Sequence, residues 1–436
     1  MNPILYVIYK ILRQITIVLL RIYFPKTTVV NGDRFRFKRP SIVVSNHPNT
    51  LIDPLNAAWR VPMVVHFLAY VGLFKHWFTN WLFNTLYCIP VTRQQDANGN
   101  SPKNENSFEA CYTFLGNGGC LYIAPEGTSY MERRLRPVKT GTARIALETE
   151  KRHDYDLGLS ILPVGLTYDQ PDRFRSRLFI KTGAPIWIKD YRAAYEADPQ
   201  QAVKHLTREM DTRLRSLLID TKDDEEDAFL YKMETLLRNS QPLPEEQHFE
   251  RSQQLLIDTR AWQESEPESK ESFQADLNRY FEQLEKQPFS DESVVHAPSQ
   301  SRLNAHLILG FPLYIYGYVN NFLPAWLSDK MVKWLKLFNG YDTTVRMLSG
   351  LVFFPLFYFL QTKLVLYWAD WKIAVAYLLS LLPSGLYTLQ YRDRLKKWFK
   401  ARQFLRWQKK ETAQADQLKD LRRKLIQQLA AMPAFA

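Results

Sequence analysis

The sequence predicts an α/β domain behind an N-terminal amphipathic helix, then a helical polar insert and C-terminal transmembrane helices. Three observations lead there. Between residues 41 and 185, short β-branched runs alternate with turn signals and helical stretches, the pattern of strands and helices sharing one core. After residue 303, long stretches carry one formal charge or none, and a spanning helix needs about 20 such residues. Lys and Arg outnumber Asp and Glu by 57 to 45, a net charge of +12, and aromatic residues make up 14% of the chain. A basic balance suits nucleic acid, an anionic membrane surface or a phosphorylated substrate. The aromatic content favours the membrane, whose interface collects Trp and Tyr. The 436 residues suggest two or three regions, and a 46% hydrophobic content excludes wholesale disorder. The boundaries read as 1–30, 31–190, 191–300, 301–395 and 396–436, in the order N-terminal helix, α/β domain, polar helical region, membrane anchor and basic amphipathic tail.

The first region is not a signal peptide, because Lys10, Arg13 and Arg21 interrupt it and no small-residue cleavage site follows. Ile4, Ile8, Ile11, Ile15, Val18 and Ile22 recur at alternating steps of four and three, one helical stripe with the three cations opposite. Such a helix suits the membrane interface. The alternative is an ordinary helix packed on the domain core.

Ser41–Ser45, Leu121–Ala124 and Ile161–Val164 read as buried strands that end in polar loops, and Phe179–Gly183 as another. The stretch around Val65 to Leu86 and residues 143–150 read as helical. So do residues 191–220 and 228–290, with the acidic run Asp223–Asp227 as a solvated hinge between them. Leu348–Trp368 and Ile373–Tyr391 read as spanning helices. Leu303–Ser328 holds Gly310, Pro312, Asn320, Asn321 and Pro324, which suits an interfacial or re-entrant segment as well as a span. A dense run of cations follows Tyr391, and Leu418, Leu421, Leu425 and Leu429 mark a final amphipathic helix. The three cysteines, Cys88, Cys111 and Cys120, have no metal-ligand spacing, so neither a metal site nor a disulfide framework is expected.

The chemistry centres on Ser45-Asn46-His47-Pro48-Asn49-Thr50-Leu51-Ile52-Asp53-Pro54, directly after the first buried strand. Strand ends are where α/β domains meet ligands. Asp53 can hold one imidazole nitrogen of His47 while the other removes a proton. No Gly-x-Ser-x-Gly motif or nearby cysteine supplies a nucleophile, so the pair has to activate a hydroxyl of the substrate. Three later segments outline an anion cradle: Ile89 to Arg93, Ala124-Pro125-Glu126-Gly127-Thr128-Ser129, and Pro137 to Thr142 with Lys139 ahead of a helix. Arg suits a bidentate oxyanion contact, and Lys supplies a point charge.

In order, these blocks resemble the phospholipid and glycerol acyltransferase family. Asn46-His47…Asp53, Pro90-Val91-Thr92-Arg93, Pro125-Glu126-Gly127-Thr128 and Leu162-Pro163-Val164-Gly165 correspond to its Asn-His-x4-Asp, Arg, Pro-Glu-Gly-Thr and Pro-strand blocks. The resemblance covers residues 41–185. It implies acyl transfer from acyl-CoA or acyl carrier protein to a glycerophosphate hydroxyl, with no covalent enzyme intermediate and no cofactor. It makes His47 and Asp53 the catalytic pair, Arg93 and Lys139 phosphate ligands, and Glu126, Gly127 and Thr128 the acceptor pocket.

Two departures stand out. Five residues separate His47 from Asp53 where most members have four, and one extra residue turns a helical side chain by about 100°. Ser129 stands where many members have Arg, leaving Arg133, Arg134 or Arg136 to substitute. The Asn-His-Pro-Asn form and the run Phe174 to Arg177 resemble the fungal-type glycerol-3-phosphate acyltransferase branch. That implies glycerol-3-phosphate as acceptor, with lysophosphatidic acid the alternative and an inactive membrane scaffold the rival. The expected setting is an integral membrane protein with its catalytic domain facing the cytoplasm, in a bacterial inner membrane or endoplasmic reticulum. Its partners are membrane lipids and these substrates. Nucleic acid is disfavoured because the cations cluster beside apolar segments.

Overall fold

The computed structural model describes residues 3–75, 77–85, 88–92, 104–302, 305–337 and 339–432. It divides into two compact units: residues 1–220 with 338–344, and residues 221–337 with 345–436.

The first unit is an α/β sheet domain. Its eight strands are β1 (Lys26–Val30), β2 (Ser41–Ser45), β3 (Val65–Tyr70), β4 (Cys88–Val91), β5 (Cys120–Ile123), β6 (Ser160–Tyr168), β7 (Arg177–Thr182) and β8 (Ile186–Trp187). The order is β1-β7-β6-β2-β5-β3-β4, with β8 beside β6; only the β6–β7 and β6–β8 pairs are antiparallel. Every residue of β2 is buried, as a central parallel strand covered on both faces requires. Its register sets Ile42 beside Leu121 on one side and Ile161 on the other. The carboxyl ends of β2, β5 and β6 therefore open into one loop cluster, and the candidate site forms there.

The helices of this unit are α1 (Pro3–Tyr23), α2 (Ile52–Ala58), α3 (Trp77–Thr85), α4 (Glu105–Gly116), α5 (Gly141–Lys151), α6 (Arg192–Ala197) and α7 (Pro199–Ser216). The expected helix over Val65 to Leu86 divides, since Val65–Tyr70 is strand β3 and only the later part is helical. Val65, Phe67 and Tyr70 favour a pleated strand, and pairing with both β4 and β5 overrides a helical reading.

In α1 the apolar stripe is the uncovered face: Ile4 is 69% exposed, and Val7, Ile11 and Val18 are exposed as well. The opposite side packs on the domain. Leu20 and Tyr23 are buried, and the Arg13 guanidinium donates to the Trp59 carbonyl at 2.7 Å, closing the end of α2. The packed face carries Leu20, Tyr23 and Arg13, whereas Lys10 and Arg21 are exposed. Among the described residues, α1 is one of three helices long and apolar enough to cross a membrane.

The second unit is helical: α8 (Asp224–Ser240), α9 (Glu245–Ser265), α10 (Pro267–Glu285), α11 (Asp291–Gln300), α12 (Ala305–Leu309), α13 (Phe311–Leu335), α14 (Asp342–Trp368), α15 (Trp371–Lys410) and α16 (Thr412–Ala430). The acidic run is not a hinge. Asp223 caps α8 by accepting the Glu226 N–H, and Asp224 to Asp227 occupy its first turn, where the helix dipole favours negative charge.

Helices α14 and α15 are the other two long enough to cross a membrane. Helix α13 packs along the first half of α15. The hydroxyls of Tyr358 and Tyr377 donate to Asn321 and Asn320, and Asn321 also donates to the Leu381 carbonyl. Polar side chains joining apolar helices in this way are the glue of membrane bundles. The far half of α15 and α16 return to the polar helices. Leu418, Leu425 and Leu429 are buried, and Arg422 reaches a buried carboxylate, Asp291, at 2.7 Å.

Candidate active site

β2 delivers the chain to His47 in an irregular segment, and α2 begins at Ile52, so Asp53 lies in its first turn. A turn absorbs the fifth intervening residue: the Ile52 and Asp53 N–H groups both donate to the Asn49 carbonyl. His47 Nδ1 then lies 3.0 Å from Asp53 Oδ2. Asp53 is fully buried and accepts twice more, from the Asn49 N–H at 2.5 Å and the Tyr168 hydroxyl at 2.7 Å. A carboxylate only accepts, so Nδ1 is the donor in this contact. The His47 side chain is 18% exposed, enough for a substrate to reach it.

The loop around His47 is fixed from outside. The Asn46 amide pairs with both backbone groups of Leu166 at 2.8 Å, extending the β2–β6 ladder past the strand end. Glu126 Oε1 accepts the His47 N–H at 2.7 Å and Oε2 the Arg136 N–H at 2.9 Å. Burial pushes Glu126 up to about 7, while those two N–H groups pull it back down. Both Glu126 oxygens thus serve the backbone. The Tyr130 N–H donates to the His47 carbonyl, and Ser129 Oγ accepts the Thr50 N–H at 3.0 Å. Ser129 therefore ties two loops together at the position where a phosphate-binding Arg was missed.

Gly127 has φ +74°, and a Cβ there would stand 2.8 Å from Lys139 Nζ, so the ammonium lies over the turn. Thr128 follows it in the same loop. Lys139 is exposed just ahead of α5, whose first residue is Gly141. Arg134 and Arg136 both pair with Glu132, which occupies two of the three arginines considered as substitutes. Arg93 lies outside the described residues. The structure thus brings together His47, Asp53, Glu126, Gly127 and Lys139. Sequence reasoning missed Tyr168, the structural roles of Asn49 and Ser129, and a segment at 340–344 whose Thr344 reaches Thr50. Tyr168 had a signal, a polar aromatic ending a buried strand, whereas residues some 290 positions away had none. Among the described residues, no group of three or more His, Cys, Asp or Glu could hold a metal ion.

Residues 26–167 match the family model named Acyltransferase. The chain is thus similar to that family over about a third of its length. It is 32% identical over 121 residues to glycerol-3-phosphate O-acyltransferase 1 of Saccharomyces cerevisiae, and 31% identical over 121 residues to that yeast's glycerol-3-phosphate O-acyltransferase 2. These matches cover 27% and 28% of this chain and 16% of each relative. An uncharacterized acyltransferase of Schizosaccharomyces pombe is 42% identical over 84 residues, 19% of this chain and 12% of that one. The chain therefore matches only a small part of each relative's length. The crystal structure of the 1-acyl-sn-glycerophosphate (LPA) acyltransferase of Thermotoga maritima is similar over 47% of this chain and 78% of its own, at 19% identity and a TM-score of 0.34.

Proposed function

We propose that the protein is a membrane-bound O-acyltransferase that esterifies glycerol-3-phosphate with an acyl chain from acyl-CoA or acyl carrier protein. The observation that carries this is the His47–Asp53 contact, with Asp53 buried and held by three donors. His47 Nε2 takes the proton of the acceptor hydroxyl as that oxygen attacks the thioester carbonyl. The tetrahedral intermediate collapses, the C–S bond breaks, and the thiolate leaves with the proton from the imidazolium. Asp53 stabilises that imidazolium while it exists. Lys139, with Arg93 and the turn at Gly127 and Thr128, binds the acceptor phosphate. Glu126 shapes this pocket from behind by fixing the His47 backbone.

The acceptor choice rests on the names of the two yeast relatives and on the Asn46-His47-Pro48-Asn49 form of the loop. The bare apolar face of α1 and the apolar helices α14 and α15 support attachment to lipid. The thioester donors are cytoplasmic, so the α/β unit works on that side. In the test, the purified full chain is given acyl-CoA with glycerol-3-phosphate or lysophosphatidic acid. Turnover of glycerol-3-phosphate, lost in His47→Ala, is expected. Turnover of lysophosphatidic acid alone reverses the acceptor, and no turnover with either makes the chain a scaffold.

A further inference from the structure

The loop from Asn46 to Leu51 makes few backbone hydrogen bonds of its own, so its neighbours set its shape. One of those neighbours comes from almost 300 residues further along. Thr50 Oγ1 donates to the Gly340 carbonyl at 2.9 Å and lies 2.9 Å from Thr344 Oγ1. A hydroxyl has one proton, and that of Thr50 is committed to Gly340, so Thr344 donates to Thr50. Beside it, Thr343 Oγ1 donates to the Pro171 carbonyl at 3.2 Å, the oxygen that also accepts from the Asn49 side chain at 2.6 Å. Thr343 is 2% exposed and Thr344 6%. Thr344 therefore holds Thr50 in the turn that absorbs the extra position between His47 and Asp53, and Thr343 holds the Pro171 carbonyl on which the Asn49 side chain rests. The backbone N–H of Asn49, within this grip, donates to Asp53 itself.

We propose that residues 340–344 are a strap whose Thr343 and Thr344 are positioning residues for the His47–Asp53 pair. This rests on the acyltransferase reading. Asp342, Thr343 and Thr344 of the strap are also the first residues of α14.

The test uses the full chain in lipid vesicles, with Thr344→Val, Thr343→Val and Thr344→Ser compared with wild type. A buried neutral hydrogen bond is worth about 0.5–1.5 kcal/mol, so each valine should lower kcat about 2- to 10-fold. KM for both substrates should hold, because the valines touch neither. Thr344→Ser keeps the donor and should restore kcat. Hydrogen exchange of the peptide covering residues 46–53 should quicken in the valine variants and not in Thr344→Ser. Wild-type kcat and unchanged exchange in both valine variants overturn the strap, as does a change confined to KM. An inactive wild type refutes the acyltransferase reading and the role proposed on it, whereas an active wild type with indifferent valines refutes the strap alone. If one valine variant fails to fold, the other carries the comparison.

Discussion

Replacing Asp53 with Asn separates the two tasks assigned to that carboxylate. Its Oδ2 accepts from the Asn49 N–H and His47 Nδ1, and its Oδ1 accepts from the Tyr168 hydroxyl. An asparagine amide can turn its oxygen to the first two donors and its NH2 to Tyr168, whose hydroxyl rotates to accept. Asp53→Asn thus keeps the Nδ1–H tautomer and loses only the charge. A unit charge about 4 Å from the imidazolium is worth about 4 kcal/mol at an effective dielectric of about 20. That corresponds to a kcat loss of about 10³-fold, inside the 10²–10⁴ that a positioned base contributes. Adding Tyr168→Phe removes the group that orients the amide, so the double variant should fall further than Asp53→Asn alone. The assay is the initial rate of transfer from radiolabelled acyl-CoA to glycerol-3-phosphate, with KM recorded for both substrates. A kcat for Asp53→Asn within about 3-fold of wild type would refute the imidazolium mechanism.

Glu126 makes stability depend on pH. It ionises near 7 in the fold instead of 4.5, so its charge costs about 3 kcal/mol at 1.36 kcal/mol per tenfold. Between those values the folded state holds the extra proton, and stability falls as pH rises through the window. The Tm advantage of wild type over Glu126→Gln should therefore shrink from pH 5 to pH 8, and a constant difference contradicts the assignment. Gly127→Ala puts a Cβ at positive φ and 2.8 Å from Lys139 Nζ. It should raise KM for the phosphate acceptor well above any change for the acyl donor, as steady-state kinetics would show. Arg422→Ala strips the ion partner from buried Asp291, at a cost of about 3–5 kcal/mol. Limited proteolysis should then release α16 early, and wild-type resistance would count against the pairing.

Local pattern carried the strands well. Ser41–Ser45 and Ile161–Val164 are continuous β-branched or apolar runs bounded by turns, and both are central strands. Val65–Tyr70 reads less clearly, because Leu68 blurs the alternation of Val65, Phe67 and Ala69, and pairing with β4 and β5 decides it. The acidic run at 223–227 reads as a solvated hinge by charge alone, although an N-cap and a favourable helix dipole are written in it. At the site, His47 and Asp53 were legible from chain order and motif. The turn at Asn49 that lets them meet was not, nor were the hydroxyls of Tyr168, Ser129 and Thr344 that support it, which chain distance hides.

The return of α15 and α16 to the polar helices limits how the chain can thread a bilayer. Phe289 packs on Phe404, Glu292 pairs with Lys397 and Asp291 with Arg422, so the stretches before α12 and after Tyr391 fold as one body. If that body of charged helices stands on one side of a membrane, a chain that leaves it at residue 300 and rejoins it past residue 391 crosses an even number of times. Of α13, α14 and α15, two can cross or none, and three cannot. Parity alone keeps the basic tail on the side where the polar helices lie, before any rule about charge is applied.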